Sequence, residues 1–224
     1  IELNRSRGGL WDLSHEFMHA IQHGYEVKDG CVADHPPAGY RWLMEATATW
    51  AEDYVYPDNN SEQLFAGSFL SQPGKPLETY GGQHEYGAYL FFQYLTRFYG
   101  TGNEEKIRNI WNNTLLYGSL EAVDSVMHGG FDEQFPLFAG CLWNKPPADC
   151  FARWDHLEQN VADSVAPREF GMDGATISHS LELPVNVEHM ATSYQRFVFT
   201  DDQVHSIVFD NKLELLGWDI PTNL

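Results

Sequence analysis

Two histidines, His15 and His19, are separated by three residues, and a glutamate, Glu16, directly follows the first. On an α-helix, residues four apart share one face and lie about 6 Å apart along the axis, so two such imidazoles can bind one metal ion. In the HExxH pattern the two histidines bind Zn²⁺, and the glutamate takes a proton from water. The pattern also occurs by chance in helices with one buried, hydrogen-bonded histidine, so the surrounding residues must decide.

The residues around the motif predict a helix over 10–24. Gly8-Gly9 precedes this segment, and Gly24 lies where a C-cap glycine is common. An apolar face is formed by residues that recur at helical spacing, namely Leu10, Leu13, Phe17 and Ile21. His15 and His19 project from a different face. Such a helix is typical of one that lines a metal-binding cleft.

A catalytic zinc site needs three protein ligands and one open position, so a third ligand is required. His23 continues the series, but it lies about 12 Å along the helix from His15, too far for both to bind one ion at about 2.1 Å. The metzincin pattern HExxHxxGxxH also needs a glycine and a later histidine after the motif, and this chain has Gln22-His23-Gly24 instead. We therefore exclude His23, which the helix dipole favours near the helix end.

Glu45 is the better third ligand. It lies in a predicted helix over 41–54, after a loop rich in glycine, proline and aspartate that lets this helix cross the first. Its neighbours are mostly apolar, and a carboxylate among them needs a partner; the alternative is a solvated helix residue. Glu52 and Asp53 follow about two turns later. Either one of them accepts a hydrogen bond from a zinc-bound histidine, or both are exposed to solvent.

The HExxH motif followed by Trp42-Leu43-Met44-Glu45-Ala46-Thr47-Ala48 resembles the gluzincins, zinc metallopeptidases such as thermolysin and the aminopeptidase-N-like enzymes. The resemblance covers residues 10–145, and only these two motifs are specific. It implies that His15, His19 and Glu45 bind one catalytic Zn²⁺ and that Glu16 is the general base. The chain departs from the family in the longer interval between His19 and Glu45 and in the lack of an upstream Gly-Ala-Met-Glu-Asn exopeptidase motif.

A second segment, the apolar stretch 80–95, resembles the aminopeptidase-N-like segment in which a tyrosine, two further residues and Gly-Ala open a buried helix. That tyrosine stabilises the oxyanion of the tetrahedral intermediate. Counting back from Gly87-Ala88, strict spacing puts His84 at its position rather than Tyr86. An imidazole can donate the same hydrogen bond. The resemblance implies a catalytic role for His84 or Tyr86; the alternative is that His84 caps the helix and Tyr86 fills the core.

The spacing of apolar residues in the rest of the chain predicts the fold. Helices are expected over 61–71, 103–115, 119–128 and 132–144, and strands over 175–184, 193–200, 204–210 and 213–218. We therefore expect an α+β fold, with a mainly helical, zincin-like catalytic lobe over 1–157 and a short β-rich C-terminal segment over 158–224 that is part of an accessory β-domain. Gluzincins place a β-sheet before the HExxH helix. We expect that sheet to be absent here or supplied by upstream domains of a longer chain.

Composition excludes some partners. The 224-residue chain has a formal net charge of −19 at pH 7, which repels nucleic acid and anionic membranes, and no apolar run is long enough for membrane insertion. Cys141 and Cys150 bracket a short Pro-Pro loop and could close a disulfide, which would leave Cys31 over. Acidity, aromatic content and this cysteine pair favour a secreted, extracellular or periplasmic location; the alternative is three reduced thiols in a cytosolic protein.

These observations favour a zinc-dependent metallopeptidase that hydrolyses protein or peptide substrates. Two alternatives stay open: a non-catalytic binding or adhesion module on a zincin scaffold, and a zinc hydrolase of a non-peptide substrate. The presence of Glu16 together with all three ligands favours an enzyme, because a relative that has lost activity often loses the base first.

Overall fold

The computed structural model describes residues 9–28, 30–31, 37–98, 103–145, 148–155, 167–172 and 187–199. The chain divides into two compact units, Ile1–Arg168 with Pro184–Tyr194, and Glu169–Leu183 with Gln195–Leu224. The described residues are mainly helical, which confirms the mainly helical fold expected from the sequence. None of the described helices has the length and apolar character needed to cross a membrane.

The helices of the larger unit are α1 (Leu10–Gln22), α2 (Arg41–Val55), α3 (Gln63–Leu70), α4 (His84–Gly87), α5 (Tyr89–Arg97), α6 (Glu105–Asn113), α7 (Ser119–Asp124), α8 (Gly130–Leu142) and α9 (Cys150–Asp155). Between α1 and α2, where the sequence predicts only a loop, β1 (Glu26–Val27) pairs antiparallel with β2 (Gly30–Cys31), and a 3₁₀ turn covers Ala38–Tyr40.

Two further strands pair with each other, β3 (Arg168–Met172) and β4 (Gln195–Phe199). An ion pair between Arg196 and Glu169, 2.7 Å long, connects them. Strand β4 lies within the strand predicted over 193–200, whereas β3 was not predicted. The strands predicted over 175–184, 204–210 and 213–218 lie outside the described residues. The boundary predicted at residue 157 also falls outside them.

The core is built around α2, which is buried along most of its length. Its two tryptophans fix it by both packing and hydrogen bonds. Trp42 stacks on Phe92 of α5 with ring centroids 5.9 Å apart, and its Nε1 donates to Ser119 Oγ at 2.9 Å. Trp50 Nε1 donates to Thr96 Oγ1 at 3.2 Å. Because a buried indole N–H needs an acceptor, these contacts fix the position of α2 and hence of Glu45 on it.

The far side of α5 packs on α8 and α9. Phe138 of α8 contacts both Phe91 and Tyr94 of α5, with ring centroids 5.0 and 5.6 Å apart. A disulfide joins Cys141 of α8 to Cys150 of α9, the pair that the sequence left open as a possible disulfide. The helices behind the site are therefore held by aromatic packing and a covalent bond.

Helix α1 has its polar side inward. Its C-terminal residue Gln22 is fully buried, whereas the predicted apolar face is exposed: Leu13 is 45%, Phe17 65% and Ile21 44% accessible to solvent. On a helical wheel this apolar face lies opposite His15 and His19. The two faces predicted from the sequence are therefore present, and the one that meets α2 is the polar face.

Helices α3 and α4 approach each other closely at Gly87. A Cβ at this position would lie 2.6 Å from Phe65 O and 2.6 Å from Phe69 Cβ, closer than packed atoms approach. Glycine therefore permits the contact. It also lets Tyr86 stack on Phe65, with ring centroids 4.9 Å apart.

Candidate metal centre

The crossing of α1 and α2 brings His15, His19 and Glu45 together. The two Nε2 atoms are 3.1 Å apart, and each lies 3.4 Å from Glu45 Oε2. Zinc bound tetrahedrally by nitrogen and oxygen at about 2.0–2.1 Å has ligand atoms about 3.3–3.4 Å apart. The three donor atoms thus already have the separations of three corners of such a tetrahedron. In the described part of the chain, no other group of three His, Cys, Asp or Glu side chains comes together in this way.

The charges at this cluster favour a cation. Burial alone would raise the pKa of Glu45, but polar contacts with His15 and His19 and their charge lower it to about 2. Burial alone would lower the pKa of His15, but its contacts with Glu45 and Glu52 raise it to about 9. Glu45 Oε2 is buried without a hydrogen bond that satisfies it. An anionic oxygen and two ring nitrogens that converge on one point are a donor set that fits zinc.

Each histidine is held at its other ring nitrogen, Nδ1. Glu52 Oε1 accepts a 2.8 Å hydrogen bond from His15 Nδ1, and Glu52 Oε2 accepts one from Ser61 Oγ at 3.0 Å. Gln22 Oε1 accepts from His19 Nδ1 at 2.7 Å. With Nδ1 as the donor, Nε2 is the ring nitrogen that faces the cluster and that can bind a metal ion in place of a proton. Hydrogen bonds of this kind fix the ring orientation of metal-binding histidines.

The sequence left two alternatives for Glu52 and Asp53, and the one in which both are exposed to solvent is wrong. Both side chains are buried, Glu52 against His15 and Asp53 beside Gln93 and Arg97. Only Glu52 lies on the side of α2 that faces the histidines. Glu52 is therefore the one of these two carboxylates that accepts a hydrogen bond from a candidate metal-binding histidine, His15.

Glu16 and His23, the other polar candidates on α1, are both exposed. The Glu16 carboxylate makes no hydrogen bond or ion pair with the described residues. His23 is the C-cap residue of α1, and it does not belong to the cluster of His15, His19 and Glu45.

The two oxyanion candidates lie in different surroundings. Tyr86 is half-buried, stacks on His15 with ring centroids 6.1 Å apart, and interacts with the Glu45 carboxylate. Burial, and then the charge of Glu45, raise the pKa of Tyr86 to about 12. His84 is buried; its Nε2 donates to Pro76 O at 3.1 Å and its ring packs on Phe69. Burial lowers the pKa of His84 to about 4. The structure thus places Tyr86 at the cluster and His84 in a packing position.

Gln22 and Ser61 are the participants that sequence reasoning missed. A weak signal existed for Gln22, because it lies three residues after His19 and so on the same helical face. No sequence pattern singles out Ser61, which reaches Glu52 only through the folding of the segment after α2.

No protein family model matches the chain, and no curated protein or solved structure shows significant similarity to it. The geometry of this cluster is therefore the main indication of function.

Proposed function

We propose that the protein is a zinc-dependent metallopeptidase that binds one catalytic Zn²⁺ through His15, His19 and Glu45. The observation that carries the proposal is the 3.1–3.4 Å spacing of three donor atoms contributed by an HExxH helix and the helix that crosses it. The unsatisfied Glu45 Oε2 and the fixed Nδ1 atoms of both histidines add independent support.

The residues around the site supply the remaining chemistry. Bound zinc would polarise the scissile carbonyl and make water acidic enough to give hydroxide near neutral pH. Glu16 accepts the proton of the attacking water and returns it to the leaving amine. Tyr86, which stays protonated at neutral pH, donates a hydrogen bond to the developing oxyanion. The cluster is partly accessible, with side chains 13–19% exposed, so a substrate can reach it from solvent.

Peptides are the substrate class that the resemblance to gluzincins implies. The two alternatives, a zinc hydrolase of a non-peptide substrate and a binding or adhesion module, require the same metal ligands and differ in what happens at the open position. The buried disulfide and the net charge of −19 support a secreted, extracellular or periplasmic protein that does not bind nucleic acid.

The test is zinc content and peptide hydrolysis in a set of matched variants. We expect about one zinc per chain in the wild type, loss of zinc in Glu45→Ala and retention in His23→Ala. Glu16→Gln should keep the metal and the fold, because amide and carboxylate have nearly the same shape. It should lower the turnover number by about 10²–10⁴-fold, the usual contribution of a general base. Glu105→Gln, at an exposed position on α6, is the control.

Each outcome separates the alternatives. Retention of zinc in Glu45→Ala with loss in His23→Ala would show that the ligand assignment is wrong. Activity of Glu16→Gln within a few-fold of the wild type would exclude Glu16 as the base. A fully zinc-loaded wild type that cleaves esters or amides but no peptide would favour the non-peptide hydrolase, and one that cleaves nothing would favour the binding module.

A further inference from the structure

Gln22 is a fully buried amide at the end of α1, and all of its polar atoms are engaged. Its Nε2 donates to Met44 O at 3.0 Å and to Thr47 Oγ1 at 2.9 Å, both on α2. Its Oε1 faces His19 Nδ1 at 2.7 Å. One side chain therefore connects the backbone of the second helix with a metal-binding candidate on the first.

The orientation of this amide follows from its partners. A backbone carbonyl can only accept a hydrogen bond, so the atom that faces Met44 O must be the NH₂ group of Gln22. Thr47 is already committed as a donor to Leu43 O at 2.7 Å, so it too accepts from Gln22. The amide oxygen is then left for His19, and an oxygen can only accept. His19 must consequently carry a proton on Nδ1.

A proton on Nδ1 determines which nitrogen of His19 can bind a metal. In the neutral imidazole the other nitrogen, Nε2, then holds the free lone pair. This is the atom that lies 3.1 Å from His15 Nε2 and 3.4 Å from Glu45 Oε2. The Met44 carbonyl thus fixes the orientation of the Gln22 amide, and this amide fixes the tautomer of His19 and so the lone pair that faces the cluster.

The two histidines are held by partners of different kinds. His15 donates to the Glu52 carboxylate, which accepts whichever way it turns, whereas His19 donates to a neutral amide that accepts at only one end. For His19, the direction of the amide therefore matters as much as its presence. Trp111 Nε1 donates to Thr47 Oγ1 at 3.3 Å and helps to hold that hydroxyl in place.

We propose that Gln22 is a positioning residue, which fixes His19 in the tautomer and orientation that present Nε2 to the metal. The role rests on the proposed function, because it presumes that the cluster binds zinc. It concerns binding of the ion rather than the substrate or the reaction that follows.

The test compares Gln22→Met with Gln93→Met. Methionine has nearly the same size as glutamine but offers no comparable donor or acceptor. Gln93 is also buried, on α5, and its Nε2 donates to Asp53, so the control removes a buried amide away from the cluster. Zinc affinity is measured by competition with a chromophoric chelator, and the His19 tautomer by long-range ¹H–¹⁵N correlation spectra of the zinc-free protein.

We expect Gln22→Met to weaken zinc binding by about 10–100-fold, the usual effect of losing a partner of a metal-binding histidine. Its His19 signals should show a mixture of tautomers. Gln93→Met should bind zinc as the wild type does, even if it is less stable. Gln22→Glu keeps an acceptor for His19 but loses the donors to Met44 and Thr47. It should therefore be less stable, yet bind zinc within a few-fold of the wild type.

Several results would overturn the role. One is unchanged zinc affinity in a folded Gln22→Met; another is an equal loss in Gln93→Met. If Gln22→Met does not fold, a Gln22→Glu variant that folds but has lost zinc affinity would also refute it, because the acceptor is still present there. A wild type that binds zinc but hydrolyses nothing would contradict the proposed function alone, and one that binds no zinc would contradict both.

Discussion

Replacing Tyr86 with phenylalanine removes one hydroxyl and leaves the ring contacts of this residue in place. The ring stacks between Phe65 and His15, with centroids 4.9 and 6.1 Å away, and phenylalanine can make both contacts. Only the interaction with Glu45 and the donor aimed at the cluster are lost. The substitution therefore tests the hydroxyl rather than the packing.

The expected loss of turnover depends on whether the Tyr86 hydroxyl is protonated. A pKa of about 12 means that only about one molecule in 10⁵ is ionised at pH 7, so Tyr86 is a donor throughout the neutral range. Loss of one oxyanion donor costs about 10²–10³-fold in turnover. Because Tyr86 is half-buried, water can partly replace the hydroxyl, and we expect the lower end, about 10²-fold.

The assay is steady-state peptide hydrolysis with zinc content measured on the same samples. An interaction made only in the transition state lowers kcat and kcat/KM equally, with little change in KM. Tyr54→Phe is the control, since Tyr54 is an exposed tyrosine of α2 whose ring stacks on Trp50. Turnover of Tyr86→Phe within a few-fold of the wild type at full zinc occupancy would refute the oxyanion role.

Two further predictions concern the scaffold. Folding lowers the pKa of His84 from its ordinary value of 6.5 to about 4, so the unfolded chain binds more protons between these values and stability falls as pH drops. Between pH 7 and pH 5, protonation of this group should lower the free energy of unfolding by about 2 kcal/mol. In urea unfolding, the stability of His84→Gln should therefore depend less on pH than that of the wild type. An equal pH dependence of the two proteins would contradict the prediction. Gly87→Ala should destabilise the fold by about 1–3 kcal/mol, because a methyl group there meets the Phe65 backbone. The control is Gly140→Ala, where the space around the added methyl group is open. A thermal unfolding temperature of Gly87→Ala no lower than that of Gly140→Ala would contradict the prediction.

The sequence could predict which three side chains come together at the proposed metal site, because their chemistry is encoded locally. HExxH places two nitrogens on one helical face, and a glutamate among apolar neighbours requires a partner wherever the next helix runs. The structure brings the three predicted ligands together at the separations that zinc needs. The helix bounds of α1 and α2 also agree with those predicted to within two residues, since glycine and proline mark their ends.

The rest depends on how the helices cross. Strict spacing from Gly87-Ala88 favours His84 as the oxyanion donor, but α4 is only one short turn, and its rotation against α3 directs Tyr86 to His15 and His84 toward Pro76. The burial of Glu52 likewise depends on the tertiary contact of α2 with α1. Such contacts are not encoded in the local spacing of residues.

The exposed apolar face of α1 and its buried polar face have one physical explanation. Along α2, Met44, Thr47 and Glu52 all present acceptors toward α1, and a helix can satisfy them only with polar side chains. Turning Leu13, Phe17 and Ile21 inward instead would bury these three apolar side chains but would leave Glu52 Oε1 buried without its donor, His15 Nδ1. The polar contacts of the cluster thus set the rotation of α1. The same rotation points both Nε2 atoms at Glu45, so the folding of this helix and the assembly of the proposed metal site depend on the same contacts.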